Sequence, residues 1–321
     1  MSRKIIPLLF LIIFSSSLIS VHSQSLVLTI GTDQSSYYFT SDIKISGQVK
    51  VDGNPKTDAT VNVLVTDSNG VIVLARTVNT GTPITTPLVS VSNAQLCDDG
   101  GNPQSSVAAG QKAYVTADVV NNDVNPETCT VIFYMVDQDY QVLGTASSTT
   151  TLSQRGDHSF PILGIDVPSY SVTGSGTIFA NVITGMANQN GYPLCKEISA
   201  SFSLTNGKTP KGYNPVSVSQ GTYQASFKLP KSSREGTYNV YTCTKYIGQT
   251  LTAASTFSAI LLGDLNFDSK VDYNDILIFV NDYIKFQQIP PIYTQNVDFN
   301  NDHSINYQDI LLFVNSYLNG N

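Results

Sequence analysis

From Gln24 to Ile260 apolar and polar positions alternate in short runs, and each run ends in turn residues. Ile43-Lys-Ile45 leads to Val49-Lys-Val51, which stops at the turn 52–55 (DGNP). Val61-Asn-Val63-Leu-Val65 then runs to 68–70 (SNG), and Val71-Ile-Val73-Leu-Ala75 follows. Period-two alternation sends one side of each run into a core, and turn signals every ~8–12 residues mark an all-β sandwich. The same pattern predicts strands at 113–120, 130–136, 177–183, 198–204, 223–227 and 236–242, and no long amphipathic helix before residue 270. The period becomes helical only near the end. Ile276, Leu277, Phe279, Val280, Tyr283 and Ile284 mark one apolar stripe, and Ile310, Leu311, Phe313, Val314, Tyr317 and Leu318 mark another.

The strands divide unevenly along the 321 residues. Residues 24–82 supply about four and residues 216–260 about three, and neither piece can cover both faces of a sandwich alone. Together they reach about 100 residues, the size of one immunoglobulin-like domain. The economical reading is a discontinuous sandwich, 24–82 with 216–260, carrying a second sandwich at 83–207 between its strands. Insertions succeed at exposed loop tips, and both seams are rich in Thr, Gly and Pro. The alternative is three serial units with a small third one. The expected fold class is mainly β: two immunoglobulin-like β-sandwiches and a small helical C-terminal domain at 261–321.

Composition narrows the function. Apolar residues are 41% of the chain, enough for a sizeable core, and charged residues only 13%. Seventeen basic against 24 acidic side chains leave a net charge of −7, which excludes the basic footprint of a nucleic-acid binder. There is no tryptophan, and the histidines are His22, His158 and His303. A Ser-His-Asp machine would rest on His158 alone, and a His-rich zinc site is excluded. Arg3 and Lys4 precede an apolar run at 5–14, and Val21 and Ser23 are small residues ahead of a cut before Gln24. That is a secretory signal over 1–23, with an uncleaved anchor as the alternative. No other stretch approaches the ~18 apolar residues needed to span a bilayer. Export permits disulfides among Cys97, Cys129, Cys195 and Cys243, whose spacings match no zinc or redox motif.

The last sixty or so residues carry the chemistry. DLNFDSKVDYNDILIFVNDYI (264–284) and DFNNDHSINYQDILLFVNSYL (298–318) align at an offset of 34 with 11 of 21 positions identical. Each copy places oxygens at positions 1, 3, 5, 9 and 12 of a twelve-residue loop, the spacing of a calcium loop. The first set is Asp264, Asn266, Asp268, Asp272 and Asp275; the second is Asp298, Asn300, Asp302, Asn306 and Asp309. Position 7 donates a backbone carbonyl, from Lys270 and from Ser304. Two Ca²⁺ are therefore expected. Both copies depart from the EF-hand: position 12 is aspartate rather than glutamate, and position 6 is Ser269 or His303 rather than glycine. No helix signal precedes Asp264, so each copy is a loop followed by one helix.

Gly263-Asp264-Leu265-Asn266 opening this duplicated loop-helix resembles a dockerin over 261–321. The resemblance implies calcium-dependent folding and tight binding to a cohesin module on a partner protein. It puts recognition residues at loop positions 10 and 11, here Tyr273-Asn274 and Tyr307-Gln308, and on the following helices at Leu277, Phe279, Leu311 and Phe313. The alternative for Leu277 and Leu311 is mutual packing inside the domain. The outer halves resemble secreted immunoglobulin-like modules of the macroglobulin-2 type, through residues 35–70 and 221–246. The middle resembles a CARDB-type adhesion module, through AGQKAYVTADVVNN (109–122). In such a topology Cys129 and Cys195 open strands at the same end, which implies a Cys129–Cys195 disulfide, with Cys97–Cys195 next. Tyr238 in GTYNV is either a tyrosine-corner residue or a plain core tyrosine.

Three function classes follow. A glycoside hydrolase needs two carboxylates in a cleft, and before the repeat the glutamates are Glu127, Glu197 and Glu235 alone. A carbohydrate-binding component of a polysaccharide-degrading complex would stack sugars on aromatic faces, with Tyr192 in Gly191-Tyr192-Pro193 as one candidate. The leading expectation is a non-enzymatic interaction protein, secreted or attached to the cell surface. Its sandwiches are spacers or adhesion modules, and its dockerin binds a cohesin-bearing partner.

Overall fold

The computed structural model describes residues 24–83, 86–213, 218–230, 232–266, 268, 270–288, 297–300 and 302–319. The signal expected at 1–23 lies outside them, as does Ser269. The first strands are β1 (Leu26–Leu28), β2 (Gly31–Thr32), β3 (Ser36–Tyr38), β4 (Asp42–Val51), β5 (Asn54–Pro55), β6 (Thr60–Thr66) and β7 (Ile72–Asn79). The middle segment holds β8 (Val89–Cys97), β9 (Ser106–Ala108), β10 (Lys112–Asn121), β11 (Glu127–Val136), β12 (Val142–Leu152), β13 (His158–Ser159), β14 (Leu163–Asp166), β15 (Gly174–Ile183) and β16 (Ile198–Thr205). Then come β17 (Thr222–Lys228), β18 (Gly236–Tyr246), β19 (Gln249–Ile260), α1 (Tyr273–Phe286) and α2 (Tyr307–Asn319). The chain is mainly β with a small helical C-terminus.

The described strands form four sheets. One has the order β1-β4-β17, with β2 and β5 also on β4; a second runs β3-β19-β18-β6-β7. The third runs β13-β10-β14 with β8 on β10, and the fourth β12-β11-β15-β16-β9. Strands from the two ends of the chain thus share ladders. Phe227 on β17 stands opposite Ile43 on β4, and Val240 on β18 opposite Val65 on β6. The ladders of β8 to β16 stay among themselves.

Period-two burial explains the cores. Ile43 and Ile45 from β4, Phe227 from β17, Val61 and Val63 from β6 and Val240 from β18 are fully buried in one cluster. Val115 and Val119 from β10, Phe133 and Met135 from β11, and Ile178 and Val182 from β15 fill another. β11 is buried on both faces, because Ile132 and Tyr134 point the other way and pack with residues of the outer strands. Asn181 completes that contact. Its Oδ1 accepts from the Thr77 amide at 2.7 Å and its Nδ2 donates to the Ala75 carbonyl at 3.2 Å. That one side chain pairs two backbone groups on the open edge of β7, where strands otherwise present groups without a ladder partner.

The Tyr238 hydroxyl donates to the Arg234 carbonyl at 2.7 Å, so this tyrosine does tie back to the backbone. The cysteine expectation is corrected. Cys97, Cys129, Cys195 and Cys243 are all buried free thiols, and neither Cys129–Cys195 nor Cys97–Cys195 is bridged. Cys129 and Cys195 sit in the second core among Val131, Val182 and Leu194, where a thiol acts as a small apolar side chain. Among the described residues no helix is long and apolar enough to cross a membrane.

Candidate metal centre

β19 ends at Ile260, and the chain turns through 261–263 into the first acidic loop. Gly263 has φ +90°, and a Cβ there would stand 3.1 Å from Val271 Cγ1, so glycine suits the turn on both counts. Asp264 comes next. Its Oδ1 accepts from the Asp268 amide at 3.2 Å, Asn266 Oδ1 accepts from the same amide at 3.0 Å, and Asp268 Oδ1 accepts from Lys270 N at 3.0 Å. Such turns fold the loop round a point, because short polar side chains take backbone amides two to four residues on.

Asp275 closes the loop. Its Oδ1 accepts from the amides of Leu265 at 2.7 Å and Asn266 at 3.2 Å, and its Oδ2 accepts from Asp272 N at 2.8 Å. Asp272 in turn caps α1 by accepting from Asn274 N at 2.8 Å. Asp272 and Asp275 are thus the two halves of a capping box as well as loop positions 9 and 12. Aspartate rather than glutamate at position 12 fits this double duty, since the short side chain reaches the cap amide and the start of the loop together.

The second copy repeats the pattern. Asp298 Oδ1 and Asn300 Oδ1 accept from Asp302 N at 3.2 and 3.0 Å, and Asp302 Oδ1 from Ser304 N at 2.9 Å. Asn306 caps α2 by accepting from Gln308 N at 2.7 Å. Asp309 accepts from Phe299 N at 2.8 Å and, through its other oxygen, from Asn306 N at 2.9 Å. His303, at position 6, holds φ +65° and donates its amide to Asp298 Oδ2 at 2.8 Å. It turns the chain where an EF-hand uses glycine.

Asp264, Asp275, Asp298 and Asp309 are 3%, 0%, 1% and 0% exposed. Carboxylate oxygens of Asp298, Asp302 and Asp309 converge within 4.8 Å of one another. Like charges gathered out of water repel, and burying them costs several kcal/mol each on the order-of-magnitude scale unless a cation compensates. An all-oxygen donor set suits a hard divalent ion rather than a thiophilic one.

Between the helices Phe279 stacks on Phe313 at 4.8 Å and on Phe299 at 5.8 Å. Phe279 and Phe313 were expected on a partner face; they are buried in the helical core instead. Stripe positions are shared between core and surface, and each helix commits its phenylalanine to the inside. Tyr273 and Tyr307 are 64% and 68% exposed, and Leu277 and Leu311 are also exposed. Asn274 and Gln308 are exposed beside them. Val280, Ile284, Val314 and Leu318 extend the same apolar surface. Their duplication in the repeat was the available signal for them.

A duplicated acidic loop-helix is thus the class of site this segment defines. Residues 262–319 match the model of the dockerin type I domain. Type I dockerins bind calcium, and such a domain implies a cohesin-bearing partner. No curated protein matches the chain. Among solved structures, the C-terminal domain of Wzt is 15% identical over 40% of this chain and 80% of that one, with a TM-score of 0.33. A cycloisomaltooligosaccharide glucanotransferase from Paenibacillus sp. is 15% identical over 38% of this chain and 14% of its own, at 0.28. A glycoside hydrolase family 2 β-glucuronidase is 8% identical over 51% and 24%, also at 0.28. At these scores the likenesses bear on neither fold nor activity.

Proposed function

We propose that this is a secreted, non-enzymatic interaction protein whose dockerin binds two Ca²⁺ and docks onto a cohesin of a partner. The observation that carries the reading is the twice-built hub of Asp275 and Asp309. Each buried carboxylate holds both ends of an acidic loop and the cap of the following helix. The ligand set is Asp264, Asn266, Asp268, Asp272 and Asp275 with the Lys270 carbonyl, and Asp298, Asn300, Asp302, Asn306 and Asp309 with the Ser304 carbonyl. Calcium removes the repulsion within each loop, so its binding free energy becomes folding free energy.

The body is two immunoglobulin-like sandwiches, the middle one inserted into a discontinuous outer one. The β4–β17 and β6–β18 ladders across the intervening segment support this. Its carboxylates have structural work: Glu197 binds Arg76, and Glu235 accepts from the Leu261 amide. His158 pairs with Asp118 at 2.7 Å, on strands β13 and β10. Those engagements favour a spacer or adhesion role. The test is helical circular dichroism of the full chain with calcium and with chelator, followed by capture on a panel of immobilised cohesins. Reversible loss of helix in chelator and calcium-dependent capture are expected. A spectrum and a capture both indifferent to calcium would falsify the reading.

A further inference from the structure

The dockerin follows the body without a linker: β19 ends at Ile260 and the first loop opens at Asp264. Strand β3 forms the other side of the joint. It runs parallel to the end of β19, with Tyr37 opposite Ala259 and Tyr38 opposite Ile260. Neighbouring strand residues point to opposite faces. Tyr37 enters the body core, where its ring meets Phe257 edge-on at 5.3 Å. Tyr38 points the other way and meets Phe299 edge-on at 6.1 Å, joining the helical domain's core cluster. Phe299 follows Asp298 directly, and its amide is one of those that Asp309 holds.

Further contacts fix the same joint. Phe39 N donates to the Ile260 carbonyl at 3.0 Å. The Glu235 carboxylate accepts from Leu261 N, and the Ser316 hydroxyl on α2 donates to the Leu262 carbonyl. Body and dockerin therefore meet through Tyr38 of β3 and Glu235 before β18, while Ser316 of α2 ties the dockerin's own entry at Leu262 to its second helix.

We propose that this joint is a calcium-linked clasp, in which Tyr38 of the body seats on the second acidic loop so that calcium in that loop and seating of the dockerin favour each other. The inference rests on the calcium reading above. Asp298 and Asp309 are almost completely buried. Without a cation their repulsion opens the loop, Phe299 loses its backing, and Tyr38 loses the face it packs on. With a cation the loop closes and the aromatic contact forms. Linkage makes the effect reciprocal: whatever seats Tyr38 tightens calcium in the second loop. The outcome for function is orientation. The exposed tyrosines of α1 and α2 are held at a fixed attitude to the body only in the loaded state.

The experiment uses the full chain, with calcium calorimetry and small-angle scattering. Asp268→Ala weakens the first loop, so that the tighter calcium event belongs to the second loop and its affinity can be read. In that background Tyr38→Ala should weaken calcium about five- to tenfold, whereas Asp302→Ala paired with Tyr38→Ala should leave the first loop unchanged. In the otherwise native chain, chelator should lengthen the maximum dimension, and Tyr38→Ala should lengthen it even in calcium. Tyr38→Phe keeps the ring and should behave as the native chain. Tyr38→Thr, which favours a strand, repeats the test should alanine disturb β3. Native affinity and native dimensions in both ring-deleted variants overturn the clasp and leave the calcium reading standing. A native chain that takes up no calcium overturns both.

Discussion

Arg76 on β7 and Glu197 beside β16 form a two-pronged ion pair between the outer strands and the middle segment, with Nε 2.8 Å from Oε2 and Nη2 2.8 Å from Oε1. Both side chains are largely buried, at 13% and 10% exposure, and the guanidinium lies 3.5 Å over the Phe179 ring. Glu197 also accepts from the Thr77 amide at 3.1 Å. Planar two-point pairing of this kind sets register as well as adding energy.

Removing one partner leaves the other charge buried and unpaired. Glu197→Ala should therefore destabilise the chain by ~3–5 kcal/mol. Arg76→Met with Glu197→Leu should recover most of that loss, because apolar replacement removes both desolvation costs. Chemical denaturation of the three proteins checks this. Equal losses in the single and double variants would show that the pair contributes no charge-specific term.

The two kinds of loop aspartate should respond differently. Asp302→Ala removes one loop carboxylate and should lower calcium affinity while leaving α2 able to form at saturating calcium. Asp309→Ala also strips the Phe299 and Asn306 amides of their acceptor. An unsatisfied buried amide costs ~1–3 kcal/mol, so α2 should stay frayed even in excess calcium. Circular dichroism across a calcium titration separates the two.

The aromatic residues divide into two roles. Tyr273→Ala with Tyr307→Ala should weaken cohesin binding and spare calcium-dependent folding, since both rings are exposed. Phe313→Ala should cost ~3–5 kcal/mol of domain stability, because Phe313 stacks on Phe279 and Phe299. Calorimetry with a captured cohesin and thermal unfolding in calcium measure the two effects.

The thiols should be silent in the native state. Burial raises Cys195 to about 12 and Cys129 and Cys243 to about 11. Cys97 is raised as well, by burial and then by the charge of Asp98. Reaction needs the thiolate. At pH 8 an alkylating reagent should label almost none of the four in native protein and all four in denaturant without reductant. Labelling of only two in denaturant would reveal a disulfide.

Much of the chain was legible one residue at a time. Alternation along 43–51 and 61–65 gave β4 and β6, because a strand half-buried on a sheet must alternate. The repeat at 264–284 and 298–318 gave both loops and both helices, because loop ligation and helix capping are local and depend on spacing alone. The aspartate at position 12 looked like a departure from a pattern; its reason, three amides gathered by one short side chain, shows only in the folded loop.

What sequence could not supply was long-range choice. A helical stripe does not say which of Leu277 and Phe279 faces inward, since both lie on its apolar side and the packing of the other copy decides. Cysteine count and an expected export signal allow a disulfide, but bridging depends on how two distant strands approach. The double burial of β11 arises because a second set of strands packs on its outer face. Sequence alone determined the alternating strands such as β4, β6 and β10, the acidic loops and the two helices, since each is set by short-range periodicity and turn chemistry, whereas β8 (Val89–Cys97) and β12 (Val142–Leu152) went unread. Tertiary structure alone decided that Asn181 ties to the edge of β7, that Arg76 meets Glu197, and that Tyr38 rests on Phe299. Those contacts join residues more than a hundred positions apart, where no local preference acts and only the packed chain brings them together.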